Sequence, residues 1–205
     1  MEFLTWLEHS GFAMTIKQNA VLYELPLVLH AIGMALLVGF STAVYLRILG
    51  FASSLPLAPM EQFFPVMYAG FWVNATSGLV LFSLYPIKAV SNPGFFIKMG
   101  GVVLAVVCLR RIKRQVFGNP ALLGTTPAPL PDRILAGTAL FVWLATITAG
   151  RLMAYHGIAG VEWASAFAVS VVTIVLACAG FVAARLYGAN RPSSIDVHTL
   201  PVAER

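Results

Sequence analysis

One side chain that can do chemistry lies in an unexpected place, because His30 falls inside an apolar run that covers residues 25–47. A run of that length can cross a lipid bilayer. An imidazole at membrane depth is costly unless a partner holds it, so it is a functional candidate by default. Imidazole can ligate a metal or a haem iron, exchange a proton or hydrogen-bond a neighbouring helix. We therefore expect His30 to have a specific partner.

Three more polar side chains are predicted to lie in the same half of the membrane, namely Lys98, Arg151 and, nearer the surface, His156. His30 follows Glu24 by six residues, which puts it about 9 Å deeper at the helical rise of 1.5 Å per residue. The same rise puts Arg151 about 7–8 Å below His156. Together these residues predict a cationic pocket among the first, third and fourth predicted helices. The alternative is that Lys98 and Arg151 extend to the lipid headgroups and that His30 only hydrogen-bonds the backbone of a neighbouring helix. For His30 we favour a specific partner over this alternative.

A b-type haem is one ligand that such a pocket could hold. Gly33 and Met34 follow His30 by three and four residues, so they share its helical face, and a glycine there leaves flat space for a macrocycle. Haem often takes a second axial His or Met and is held by cations at its propionates. The candidates for these two tasks are His156 or Met153 for the iron and Lys98 with Arg151 for the propionates. Because His156 lies nearer the surface than His30, this haem requires offset helices or a five-coordinate iron.

A quinone and a copper ion are the other ligands that the sequence allows. A quinone headgroup could accept hydrogen bonds from His30 or Arg151, and Tyr23 and Tyr155 also lie near the predicted membrane edge. Copper would use soft sulfur ligands together with imidazole. The candidate copper ligands are His30, Met34, Met99, Met153 and His156. The residues alone leave haem, quinone and copper open.

The composition is typical of a membrane protein with several spans. Hydrophobic residues make up 59% of the chain and charged residues 10%, whereas soluble domains carry about 25% charged residues. Too few charges are therefore present to cover a water-facing surface. The basic residues flank apolar segments, which indicates membrane topology and not a nucleic-acid partner. The sequence contains no motif of a hydrolase, kinase, P-loop protein or dinucleotide-binding enzyme, which favours a non-catalytic subunit.

The predicted fold is all-α, an integral membrane bundle of five transmembrane helices separated by segments rich in proline, glycine and serine. The predicted helices cover residues 21–46, 60–85, 95–109, 134–155 and 163–187. The other predicted parts are an interfacial amphipathic helix at 1–19, a transmembrane domain at 20–187 with an extended loop at 115–132, and a disordered cytoplasmic tail at 188–205.

The basic residues also predict the orientation of these helices. If the cluster at residues 110–114 is cytoplasmic, nine Lys and Arg residues lie on the cytoplasmic side and four on the outer side. Basic residues accumulate on the cytoplasmic side of membrane proteins. We therefore predict a multi-pass protein of the bacterial inner membrane, with its N-terminus outside, its C-terminus inside and His30 in the outer leaflet.

Four passages in order carry a family resemblance. They are LHAIGMALLVG at 29–39 with LRILG at 46–50, ATSGL at 75–79, NPGF at 92–95 with Lys98, and TAGRLMAY at 148–155. This set resembles a family of small bacterial inner-membrane proteins classed only as a domain of unknown function, and more loosely the copper-resistance D-type membrane proteins. The resemblance implies a helical bundle in which His30, Lys98 and Arg151 recur, and it implies no established activity. The family pattern commonly has an acidic residue where this chain has Tyr45, and His156 falls outside it.

Three functional hypotheses describe what the pocket could do. The first is a redox-type membrane subunit, in which His30 ligates haem b or contacts a quinone and exchanges electrons with a periplasmic partner. The second is a metal-handling membrane protein, with copper as the first candidate. The third is a cofactor-free membrane anchor of a larger complex, whose polar residues only determine helix packing.

Overall fold

A computed structural model describes residues 1–123, 128–153, 172 and 176, and these residues form helices and turns with no strand among them. The all-α class predicted from the sequence is thereby confirmed. The α-helices of the described chain are α1 (Glu2–Glu8), α2 (Gly11–Gln18), α3 (Ala20–Ile48), α4 (Phe63–Leu84), α5 (Pro86–Val90), α6 (Pro93–Ile112), α7 (Pro120–Leu123) and α8 (Leu130–Met153).

Three helical segments are long and apolar enough to span a membrane, which is the property of a membrane protein. They are α3, α8 and the segment Ala58–Leu84, in which a 3-10 turn at Ala58–Gln62 leads into α4. The 20-residue helix α6 is not among these three segments, and it carries three basic residues, Lys98 near its start and Arg110 and Arg111 in its last turn. If α6 also crosses the membrane, its long basic side chains must reach the membrane surface.

The structure describes helices at four of the five positions where transmembrane helices were predicted. These are α3, α4, α6 and α8, which correspond to the first four predictions. Each runs within a few residues of its predicted bounds. The predicted fifth helix, residues 163–187, lies outside the described residues except for Val172 and Leu176, which are helical. The predicted tail at 188–205 also lies outside them.

The long helices form two antiparallel pairs, α3 with α4 and α6 with α8. In the first pair, the rings of Phe40 and Phe63 lie 5.0 Å apart near the connecting turn, whereas His30 meets Asn74 farther from it. Contacts between α3 and α8 join the two pairs into one bundle. The bundle therefore has two ends, one with the N-termini of α3 and α6 and the other with their C-termini.

A shared apolar core fills the half of the bundle nearer the C-terminus of α3. Its largest fully buried side chains include Trp143, Tyr45, Phe64, Leu37, Ile48 and Met67. At the edge of this core Arg47 is also buried, and its guanidinium donates hydrogen bonds to the backbone carbonyls of Ser53 and Leu55. These bonds satisfy the buried cation and fasten the turn that follows α3.

The N-terminal segment is two helices, so the prediction of one amphipathic helix over residues 1–19 is wrong in this respect. A turn separates them, and the Ser10 hydroxyl accepts a hydrogen bond of 3.2 Å from the backbone N–H of Ala13. A serine in this role starts a new helix. Ala13 and Ile16 of α2 are buried against Leu84 at the end of α4. The second short helix is therefore packed on the bundle.

The predicted extended loop at residues 115–132 is partly helical. A π-helical segment, Lys113–Phe117, continues α6, and α7 and the start of α8 occupy much of the remainder. Pro120 and Pro131 lie in the first turns of α7 and α8. A proline is well tolerated there because the N–H that it lacks would have no helical partner. Two of the prolines that suggested a loop, Pro120 and Pro131, therefore begin helices.

Two glycines bring α3 and α4 into backbone contact. A Cβ atom added at Gly33 would lie 2.6 Å from the backbone nitrogen of Asn74 and 2.7 Å from the carbonyl oxygen of Gly70. A Cβ atom added at Gly70 would lie 2.9 Å from the carbonyl oxygen of Gly33. Side chains at either position would force the helices apart. Small residues at helix contacts are the usual means of such close packing in membranes.

This contact predicts that Gly33→Ala destabilises the protein by roughly 1–3 kcal/mol, the cost of overpacking against atoms that cannot move aside. The free energy of unfolding in mixed micelles would measure it. Gly39→Ala is the matched control in the same helix, because a Cβ atom there would meet no atom of the described residues within 4 Å. Equal stability of the two variants would contradict the packing role of Gly33.

Candidate functional site

The His30 ring lies between α3 and α4 and is held by two acceptors on α4. Its Nδ1 atom is 3.0 Å from the backbone oxygen of Asn74 and 3.3 Å from the Ser77 hydroxyl. A carbonyl oxygen can only accept, so Nδ1 carries the proton and Nε2 presents its lone pair. The ring packs on Gly78, where an added Cβ would lie 3.1 Å from His30 Cε1. His30 therefore bonds to the backbone of a neighbouring helix, which is the alternative to a bound ligand that the sequence allowed, and a ligand of His30 stays a prediction.

The Asn74 side chain returns a hydrogen bond to the same residue. Its Nδ2 atom donates to the backbone oxygen of His30 at 2.8 Å. His30 and Asn74 thus exchange two hydrogen bonds between α3 and α4, one through each side chain. Both side chains are half-buried. Such exchange removes polar groups from lipid and determines the register of the two helices.

Lys98 of α6 completes the site from the other helix pair. Its Nζ lies 3.5 Å from His30 Nε2, so the ammonium group faces the lone pair of the imidazole. The aliphatic part of Lys98 lies against Gly150 of α8, where an added Cβ would be 3.2 Å from Lys98 Cδ. The structure therefore brings His30 and Lys98 together, and all four long helices contribute to their surroundings.

The other side chains predicted for the pocket are Arg151, Met34, Met153 and His156. Arg151 is exposed in the last turn of α8, and Met34 and Met153 are partly buried on α3 and α8. His156 lies outside the described residues. The flat surface predicted for a macrocycle beside Gly33 is already covered by the backbone of α4. That part of the haem prediction is corrected, because the glycine serves a helix contact.

Asn74, Ser77 and Gly78 are the site residues that the predicted pocket omitted. That pocket drew on the first, third and fourth predicted helices, whereas the shortest contacts of His30 are with the second. The small and polar composition of residues 74–78 was the available signal. Such composition indicates helix contacts with interhelical hydrogen bonds.

An open groove of about 530 Å³ lies beside this network, between α2, α3 and α4. Its walls are mainly apolar, with contributions from Phe12, Ile16, Leu22, Leu25, Leu29 and Val80. Thr15, Thr76 and Ser77 supply hydroxyl groups. Ser77 lines the groove and also lies within hydrogen-bonding distance of His30. The groove therefore joins an apolar surface to the polar network of the bundle.

Metal ligands are sparse in the described part of the chain. Its residues contain no group of three or more His, Cys, Asp or Glu side chains that could hold a metal ion. Cys108, the cysteine that the described residues include, is free and buried in α6. Copper binding by His30 with methionines therefore remains a hypothesis from the sequence.

Comparison with known proteins adds no relative. No family model, no curated protein and no solved structure matches the chain. The family resemblance carried by His30, Lys98 and Arg151 therefore stays a prediction. The positions of the site residues themselves are therefore the evidence on what the site could bind.

The exchange between His30 and Asn74 predicts that Asn74→Ala lowers the free energy of unfolding by about 1 kcal/mol, the usual value for an interhelical hydrogen bond in a membrane. Thr76→Ala is the control on the same helix, because its hydroxyl bonds only to backbone oxygens of its own helix. Unfolding in mixed micelles measures both. A loss in the control as large as that in Asn74→Ala would contradict the interhelical role.

Proposed function

We propose that this protein is a membrane-embedded redox subunit that binds a quinone next to the His30 network. The observation that carries the proposal is the apolar groove whose Ser77 hydroxyl is shared with His30. A quinone has an apolar tail and a headgroup with two carbonyl oxygens. Apolar sites with a few polar groups that orient the ligand are the usual form of small-molecule sites.

The headgroup would lie at the Thr76 and Ser77 end of the groove, with its tail over the leucines of α3. Ser77 Oγ now donates to the backbone oxygen of Val73 at 2.6 Å. Rotation of this hydroxyl would let it donate to a quinone oxygen while it accepts from His30 Nδ1. The chain of groups from quinone to Ser77, His30 and Lys98 would then be continuous.

This chain of groups could exchange protons with the ligand. Reduction of a quinone to a quinol takes two electrons and two protons. In the proposal the electrons come from a periplasmic partner protein. One proton moves from the Lys98 ammonium to His30 Nε2 while His30 Nδ1 releases its own proton through the Ser77 hydroxyl to the quinone oxygen, and the second proton comes from water after Lys98 has been reprotonated. Histidine suits this relay because its two ring nitrogens can take up and release a proton in turn. No metal ion is needed for the step.

We also propose that the chain crosses the bacterial inner membrane five times, with its N-terminus outside. The described basic residues support this orientation because they are divided between the two ends of the bundle. The end with the C-terminus of α3 carries Arg47, Arg110, Arg111, Lys113, Arg114 and Arg133, and the opposite end carries Lys17, Lys88, Lys98 and Arg151. A cytoplasmic location of the first group agrees with the general bias of basic residues. His30 then lies in the outer leaflet.

Quinone binding predicts that Ser77→Ala weakens the affinity for a short-chain quinone about tenfold, the effect of one lost hydrogen bond in a buried site. Quenching of tryptophan fluorescence on titration with the quinone measures the affinity. Ser83→Ala is the matched control, because Ser83 is also buried on α4 and its hydroxyl also donates to a backbone oxygen of that helix. Equal affinities of the two variants, or no binding by the unaltered protein, would contradict the proposal.

Haem b is the second candidate, and one observation favours it. The Nδ1–H of His30 donates to a backbone carbonyl and leaves Nε2 for a ligand, which is the arrangement that orients histidines on metals. Lys98 now occupies the Nε2 side at 3.5 Å and would have to turn away. The groove site does not require that movement, which is why quinone is preferred.

An absorption spectrum of the purified protein separates the two candidates. If haem is bound through His30, the preparation has a Soret band that His30→Ala abolishes, because the axial ligand is lost. His9→Ala is the control, since His9 is exposed in the turn after α1. A preparation without a Soret band contradicts haem and leaves the quinone titration as the decisive experiment.

A further inference from the structure

A second cavity lies at the other end of the bundle, far along the chain from His30. It has a volume of about 520 Å³ and is formed between the start of α4 and the end of α6. Three basic side chains line it, namely Arg110, Lys113 and Arg114. Glu61 is its carboxylate. The lining therefore has an excess of two positive charges.

Helical spacing brings these basic residues together, because Lys113 and Arg114 follow Arg110 by three and four residues and share its helical face. The cavity also borders a local change in helix geometry. Over Lys113–Phe117 the chain is π-helical, and the N–H of Gly118 donates to the carbonyl oxygen of Lys113 at 3.1 Å. A Cβ atom at Gly118 would collide with the carbonyl oxygen of Arg114. Such π-helical turns occur frequently at functional sites.

Two aromatic rings line the cavity, Tyr68 of α4 and Phe117 of the π-helical segment, and Phe64 of α4 packs behind them. The Lys113 ammonium lies 5.4 Å from the ring centre of Phe64 and 5.3 Å from that of Tyr68. Phe117 packs edge-on against Phe64 at 5.0 Å. These contacts orient the lysine head over the rings.

We propose that this cavity binds the phosphate headgroup of an anionic phospholipid. Phosphate oxygens accept hydrogen bonds from guanidinium groups in pairs, and Arg110 and Arg114 supply two such groups. Tyr68 offers a hydroxyl to the headgroup, and Phe117 offers apolar surface to the start of an acyl chain. Basic pockets between membrane helices on the cytoplasmic side are known to suit such headgroups.

The position of the cavity favours a lipid over a soluble phosphate. The cavity lies where α4 begins and α6 ends, so it is at the predicted surface of the membrane. Arg110 and Arg114 are exposed there. A lipid headgroup is held at this level by its own chains, whereas free phosphate has no such restriction. This inference does not depend on the quinone site.

Arg114→Gln tests the proposal, with Arg111→Gln as the matched control. Both arginines are exposed and lie close together at the end of α6, but only Arg114 lines the cavity. We expect Arg114→Gln to weaken the binding of phosphatidylglycerol about fivefold, the effect of one basic residue on an anionic lipid. Arg111→Gln should leave it unchanged within twofold. Native mass spectrometry of the detergent-solubilised protein, titrated with phosphatidylglycerol, measures the binding.

Two further probes complete the experiment. Phosphatidylcholine, which has no net charge, should bind both variants and the unaltered protein equally weakly. Inorganic phosphate at millimolar concentration should not displace phosphatidylglycerol. The proposal is overturned if the two arginine variants lose equal affinity, since diffuse charge attraction would then explain the binding. It is also overturned if inorganic phosphate binds in the same variant-dependent way and the lipid does not.

Discussion

The close approach of α3 to α4 is the constraint on which the rest of the site depends. At Gly33 and Gly70 the two backbones are so near that an added methyl group would touch the opposite main chain. One turn away, the same distance lets the short imidazole of His30 reach the carbonyl oxygen of Asn74. If the helices were farther apart, the ring would have no acceptor, and an unpartnered polar group in lipid is costly.

The chemistry of the molecule is concentrated at the two ends of the bundle, with apolar packing between them. At one end the polar groups come in small numbers and bond to one another, as His30 does with Asn74 and Lys98. At the other end positive charges line a cavity, where Lys113 lies over aromatic rings, and Arg47 nearby bonds to backbone carbonyl oxygens. This division agrees with the low cost of charge near a membrane surface and its high cost in the centre.

The depth of each residue along its predicted helix was enough to predict that Lys98 lies near His30, because the rise per residue is constant in a helix. It could not show which helix faces the histidine, so Asn74 and Ser77 were missed as partners. The role of Gly33 was misassigned because an empty surface on one helix serves a ligand or a neighbouring helix equally well. The short helix α7 at Pro120 and the first turn of α8 at Pro131 were predicted as loop because proline both interrupts helices and begins them.

The pairing of neighbouring helices has a consequence for biogenesis. A protein inserted during synthesis emerges N-terminal part first, so α3 enters the membrane before any partner exists for its histidine. The next long helix to follow, α4, carries both acceptors of the imidazole Nδ1–H and the amide that bonds the His30 carbonyl. The polar ring is therefore covered as soon as the first hairpin closes. Lys98 arrives afterwards, and the interval in which an unshielded histidine faces lipid is confined to the translation of about one helix.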